Sequence, residues 1–210
     1  SKKNEPWYYV VNGEQNVQFA MIHRATHHYY YKDIKGLRRP PLNGEMPVSR
    51  LKIAAINSFN SIGDHSYWRG VAGVLPMIRI YKRNFSDEYY GTVIHELAHA
   101  SHWKMAWFTY EFVDTKVKES WARGVQWELS RMVYPIYRNN YSKLYTGVVQ
   151  DMIDNDNSIA DKVSGYTIRQ IENSLMYQKT WNDWKNKIKQ DYENPTENNL
   201  DALFEYWNNF

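Results

Sequence analysis

Between residues 86 and 105 the chain carries a run whose inner positions, Thr92, Val93, Ile94, Leu97, Ala98, Ala100 and Ser101, are all uncharged. Ser86-Asp87-Glu88 stands just before it, a hydroxyl N-cap followed by acids in the first turn, so the pattern predicts a helix over 86 to 105. Val93, Ile94, Leu97 and Ala98 give it a packing face. Residues 14 to 32 repeat Val17, Met21, Ile22 and Ala25 at helical spacing. After Asp114-Thr115, the positions Val117, Trp121, Val125, Leu129, Met132 and Val133 predict a helix over 115 to 137. Shorter helices are expected over 167 to 179, 181 to 192 and 197 to 207, the last capped by Thr196. Two short apolar stretches, 51 to 56 and 74 to 81, read as strands. Gly36, Pro40-Pro41 and Asn43-Gly44 mark loop, as does the polar and aromatic run from Gly63 to Gly70. That run either borders a site or is a turn in which Asp64 caps backbone N–H groups. The expected class is α+β: a small N-terminal sheet packed on the 86 to 105 helix, then a mainly helical C-terminal part.

The chemistry lies in His95-Glu96-Leu97-Ala98-His99. Four residues of helix advance roughly 6 Å and about 400°, so the two imidazoles stack on one face and can reach one Zn²⁺. Glu96, turned about 100° from His95, falls outside the ligand set but beside a water on the metal, the place of a general base. Catalytic zinc takes three protein ligands, so a third donor is needed. His102 lies one turn too far along the axis to converge with the other two and reads as a polar or substrate-side residue. Among the acids Glu111, Asp114, Glu119 and Glu128, Glu119 is preferred. It sits in the second turn of the next helix, and a short connection between antiparallel helices brings that turn beside His99. His23 and His27 are also four apart, but Arg24 between them opposes a metal and cannot act as base.

The His95 to His99 motif, followed by Glu119-Ser120-Trp121-Ala122-Arg123-Gly124-Val125, resembles the gluzincin metallopeptidases over residues 92 to 126. The run His95 to His102, HELAHASH, is also similar to that of a group of peptidases of gut-type bacteria. The resemblance implies a zincin-like fold, His95, His99 and Glu119 as zinc ligands, and Glu96 as the residue that activates water. It also implies an edge strand lining the cleft and pairing with an extended substrate, for which 74 to 81 is the expected strand. A Tyr or His from the C-terminal region that polarises the oxyanion is implied as well, and Tyr166 is the expected residue. Two positions depart from the pattern: Lys118 replaces the usual Asn, and Arg123 replaces the Asp that some members carry.

At 210 residues the chain is long enough for one catalytic domain, with a possible division into 1 to 105 and 106 to 210. The net charge of +3, from 26 basic and 23 acidic residues spread along the sequence, argues against nucleic-acid binding. No run of 18 apolar residues exists, so no membrane span is expected. The start at Ser1-Lys2-Lys3 suggests a processed or truncated product, and with zero Cys it fits an extracytoplasmic bacterial protein. The nine Trp and 18 Tyr are expected mainly in the core and helix interfaces, Trp103 and Trp107 included. The expected function is zinc-dependent hydrolysis of peptide or protein substrates. The rival readings are a non-catalytic peptidase-like protein that binds glycans or peptides, and a zinc hydrolase acting on another amide.

Overall fold

The computed structural model describes residues 13–42, 45, 51–71, 75–155 and 162–210. The expected Asn43-Gly44 turn and the start of the 74 to 81 strand lie outside the described residues. Among those described, the chain is mixed α+β with eight α-helices and a three-stranded sheet.

Helix α3, Ser86–Met105, is the centre of the molecule. Every residue from Tyr89 to Trp103 is buried, and Glu96 is the one Asp, Glu, Lys or Arg in that stretch, because a free charge is costly to bury. Its start is held differently from the sequence expectation. Ser86 is the first helical residue, and the Glu88 carboxylate accepts from the backbone N–H groups of Asn84 (3.2 Å) and Phe85 (3.4 Å). Helix α1, Glu14–Tyr31, packs across α3. His28 joins Tyr90 of α3 through Nδ1 and donates from Nε2 to the Asp33 carbonyl at 3.0 Å.

The sheet has strands β1 (Ile53–Ile56), β2 (Gly63–His65) and β3 (Ile78–Tyr81), in the order β1-β3-β2. β1 runs parallel to β3, and β2 antiparallel with Gly63 opposite Ile80 and His65 opposite Ile78. β3, expected as the edge, is therefore the middle strand, its buried Ile78 and Ile80 facing the core. The edge beside α3 is β2, from the run expected to be loop. A short helix, α2 (Tyr67–Val71), follows it. Gln18 Nε2 donates to the Ile80 carbonyl at 2.7 Å, tying α1 to the sheet.

Helix α4, Thr115–Ser130, returns antiparallel along α3, for His99 lies by Glu119 while Gly91 lies against Gln126. It ends earlier than the expected 137. Pro135 has no N–H to offer the Arg131 carbonyl and its ring would strike that group. Helices α5 (Val148–Ile153), α6 (Ile168–Ser174), α7 (Trp181–Asp191) and α8 (Leu200–Asn209) complete the chain. α5 escapes the sequence reading, and α8 is preceded by a 3₁₀ turn, Glu197–Asn199. Thr196 caps no helix with its side chain; its hydroxyl ties to Ser164 instead, donating to the carbonyl and accepting from the N–H, each at 3.1 Å. Aromatics fill this end as expected: Trp181, Trp184, Phe204 and Trp207 are buried. Their indole N–H groups are met by the Phe204 carbonyl, the Ser174 hydroxyl and the Asp151 carboxylate. Trp103 is buried and stacks on Tyr67, whereas Trp107 is 42% exposed. No helix among the described residues is long and apolar enough to cross a membrane.

α4 passes close to α5 at Gly124, where an added Cβ would stand 2.3 Å from Val149. Gly124→Ala therefore overpacks that contact by about 1 to 3 kcal/mol, outweighing the roughly 0.5 to 1 kcal/mol that Ala gains over Gly in a helix. Urea unfolding is expected to show a lower midpoint; an equal or higher one would mean that α5 yields.

Candidate metal centre

α3 and α4 bring three donor atoms to one point. His95 Nε2 lies 3.1 Å from His99 Nε2 and 3.1 Å from Glu119 Oε2, and His99 Nε2 lies 3.2 Å from the same oxygen. Among the described residues these three side chains form a group able to hold a metal ion. The edges support that reading. Tetrahedral ligands about 2.0 to 2.1 Å from an ion stand about 3.3 to 3.4 Å apart, close to the triangle observed. The donor set supports it too, because three atoms that can all accept converge where few protons are available to share. A dication satisfies all three at once.

The surroundings orient the two rings unequally. His99 Nδ1 faces the Tyr110 hydroxyl at 3.1 Å, a contact that fixes the ring and leaves Nε2 for the ion. His95 Nδ1 is buried without a partner among the described residues. The residue one turn beyond Glu119 is Arg123, a cation that cannot accept from that nitrogen.

Charge within the triangle of side chains is shared unequally as well. Burial pulls His95 down to about 4, so it is neutral, the form that ligates. Burial opposes the His99 charge too, but the Glu119 carboxylate beside it outweighs this and raises its pKa. Burial raises Glu119, yet the His99 charge and hydrogen bonds from both imidazoles leave it well below the usual carboxylate range.

Glu96 is buried next to the triangle without belonging to it. Burial pushes its carboxyl up to about 7. β2 packs directly on it: a Cβ at Gly63 would stand 2.6 Å from Glu96 Oε1 and 2.8 Å from Thr92 Cγ2, so only glycine lets the edge strand lie this close.

The triangle lines the smaller of two adjoining lobes of an open cleft, of roughly 450 and 570 Å³, which share Gly63, His95, Glu96 and Tyr145; of the three donors only His95 also borders the larger. The smaller lobe is lined by β2 and by Tyr67, Trp68, Tyr110, Glu111 and Lys118. The run from Gly63 to Trp68 thus borders the site. Arg69 locks this corner by binding the Asp64 carboxylate and donating to the carbonyls of Pro76 (3.0 Å) and Met77 (2.9 Å). His65 lies parallel to His99 at 6.3 Å between ring centroids, held neutral by burial.

Of the residues picked from sequence, the fold brings His95, His99, Glu119 and Glu96 together. Tyr166 is not with them. It is 2% exposed in the core beyond α5, takes its backbone partner from Met152, and lines neither lobe. Besides Tyr110, the tyrosine beside the donors is Tyr145, its ring 5.8 Å from that of His95. No periodic pattern marks it, because it stands in the irregular stretch before α5. His102 is 1% exposed, edge-on to Tyr110, with both ring nitrogens unpartnered among the described residues, so it packs behind the site and does not face substrate. Glu128 is engaged by Lys35 and Arg131, and Asp114 stands before α4. His23 and His27 stack on an exposed face of α1.

Comparison with family models, with curated proteins and with solved structures gave no match.

The purified chain is expected to bind one divalent ion, and at a hundredfold excess over Kd the ion should stabilise the fold by about 2.7 kcal/mol. Glu119→Ala should lose most of that increment in thermal or urea unfolding; retention would place the ion elsewhere. Affinity should also fall as pH is lowered. The raised His99 pKa means that a ring proton competes with the ion below it, by up to about tenfold per pH unit for one displaced proton. Calorimetry at several pH values measures this.

Proposed function

We propose that the chain is a zinc-dependent metallopeptidase of gluzincin-like type with a zincin-like arrangement of sheet and helix. The observation that carries this reading is Glu96. It is a buried carboxyl that completes no ligand triangle and makes no ion pair among the described residues, yet it faces the cleft beside the three donors. A site built only to hold an ion for stability has no use for such a group. His95, His99 and Glu119 are the donors for zinc, since two imidazoles and a carboxylate leaving an open side suit a catalytic ion. Zinc bound there supplies Lewis acidity, lowering the pKa of a water and polarising the scissile carbonyl.

The chain's own groups supply the rest. Glu96 takes a proton from the attacking water and returns it to the leaving amine nitrogen. Tyr145 borders both lobes, and burial with the nearby Glu119 charge holds its hydroxyl protonated. It is thus a donor at neutral pH and a candidate to stabilise the oxygen on which negative charge develops, the role for which Tyr166 is the expected residue in sequence. β2 lines the cleft, and no described strand pairs with its outer edge. An extended peptide can add to that edge by backbone hydrogen bonds.

Glu96→Gln should keep zinc, as shown by elemental analysis, while cleavage of a peptide library followed by mass spectrometry falls by roughly 10² to 10⁴. Undiminished cleavage would remove Glu96 from the reaction. Tyr145→Phe should lower kcat by about 10² or more with zinc retained, the scale of losing one oxyanion donor. An unchanged kcat would return Tyr145 to a packing role.

A further inference from the structure

The two lobes differ in charge, and one of the cations that make the difference is partly buried and held in place. Arg83, Arg123 and Arg138 line the larger lobe with Asp87 and Glu88. Glu88 is already spent on Arg83 at 3.6 Å and on the start of α3. Asp87 lies near enough to act on Tyr134 and Tyr137. Arg123 has no carboxylate within 4.0 Å among the described residues. It donates to Gln126 Oε1 at 3.0 Å, and its Nε is buried without a partner.

The guanidinium is also held still. Gln126 is oriented by donating its amide to the Tyr137 hydroxyl, which rests against Gly91 of α3. The Tyr145 ring lies under the guanidinium, 4.9 Å from its carbon. Asn139 anchors the Arg123 backbone carbonyl at 3.0 Å. A partly buried cation with unmet donors is costly to keep, and a rigid planar fork is the form that takes a carboxylate by two parallel hydrogen bonds. Arg123 stands one helical turn, about 6 Å, beyond Glu119 along α4. That offset is the reach of a residue next to the scissile bond, not of one several positions away.

We propose that Arg123 binds a carboxylate on the residue that occupies the larger lobe, making the preferred substrates peptides with an acidic group directly beside the cleaved bond. The assignment rests on the peptidase reading. The carboxylate is either an Asp or Glu side chain or the free C-terminus of the peptide.

The test uses the zinc-loaded chain and peptides identical except for Glu or Gln at the positions flanking the cleaved bond, each with a free or an amidated C-terminus. Glu is expected to be favoured over Gln by about 10- to 100-fold in kcat/KM, the scale of one charge-assisted contact. Preference in amidated peptides assigns the side chain; preference for free over amidated termini, whatever the residue, assigns the α-carboxylate. Arg123→Gln should bring the acid preference near one, and Arg123→Lys should restore part of it. A preference unchanged in Arg123→Gln, or no preference for either carboxylate in the unaltered chain, overturns the proposal, the second without any variant. Binding of the same peptides to Glu96→Gln, measured by calorimetry with and without Arg123→Gln, is read independently of turnover. If no peptide is cleaved by the unaltered chain, the peptidase reading fails, and an equal affinity for acidic and neutral peptides then rejects the role of Arg123 separately.

Discussion

The structure depends on the contact between α3 and α4 at His95, His99 and Glu119. Three donor atoms within 3.2 Å of one another are attracted only if a proton or a cation sits among them. Between the side chains themselves, burial opposes both charges, while the Glu119 carboxylate raises the His99 pKa and the His99 charge lowers that of Glu119, so each favours the charged form of the other. The pairing also fixes the axial offset of the two helices, because a slip of one turn, about 5.4 Å, would separate the donors. Side chains elsewhere are cut to this register. Gly91 admits Tyr137, and Gly124 admits Val149 of α5.

Much of the centre was legible in sequence because it lies on long helices. The spacing of His95 and His99 fixes their shared face, and the start of α4 after Asp114 puts Glu119 opposite them. The uncharged run marks the packing face of α3, though not that every residue from Tyr89 to Trp103 is buried. What sequence could not show lies in short or irregular pieces. β2 reads Gly63-Asp64-His65, with no β-branched or apolar residue to signal a strand. It is a strand because its backbone pairs with β3 and its glycine fits over Glu96. β3 looks like the cleft edge in sequence because it lies closest before α3, whereas its buried Ile78 and Ile80 belong to a middle strand. Tyr166 was chosen for its place near a helix start, and that start turned its ring into the core. Tyr145, in a segment without a period, could be found only once the chain was folded.

Arg123 shows how one side chain on α4 shapes the surroundings of the donors. An acid at that position would have a partner in the ring nitrogen of His95, which is instead left bare. The arginine turns outward to Gln126 and the Tyr145 face, and its charge still acts on His95, helping to keep that imidazole neutral. The side chain one turn beyond Glu119 thus puts a cation on the wall of the larger lobe. The loss to His95 is partly made good by packing, since the ring is 7% exposed and has little room to turn.

α4 does more than supply a ligand. Ser120, next to Glu119, accepts a hydrogen bond from the Thr146 hydroxyl at 2.8 Å and donates to the Leu144 carbonyl at 3.1 Å. The segment that carries Tyr145 is thereby fastened to the residue beside the ligand. Arg123, one turn on, completes the same wall. Ligand, hydroxyl and cation therefore share one rigid support, and the irregular stretch before α5 needs no regular structure of its own to hold Tyr145 in register with the donors. Any shift of α4 relative to α3 moves all three together, so the helix contact that brings the three donors together also sets the shape of the cleft beside them.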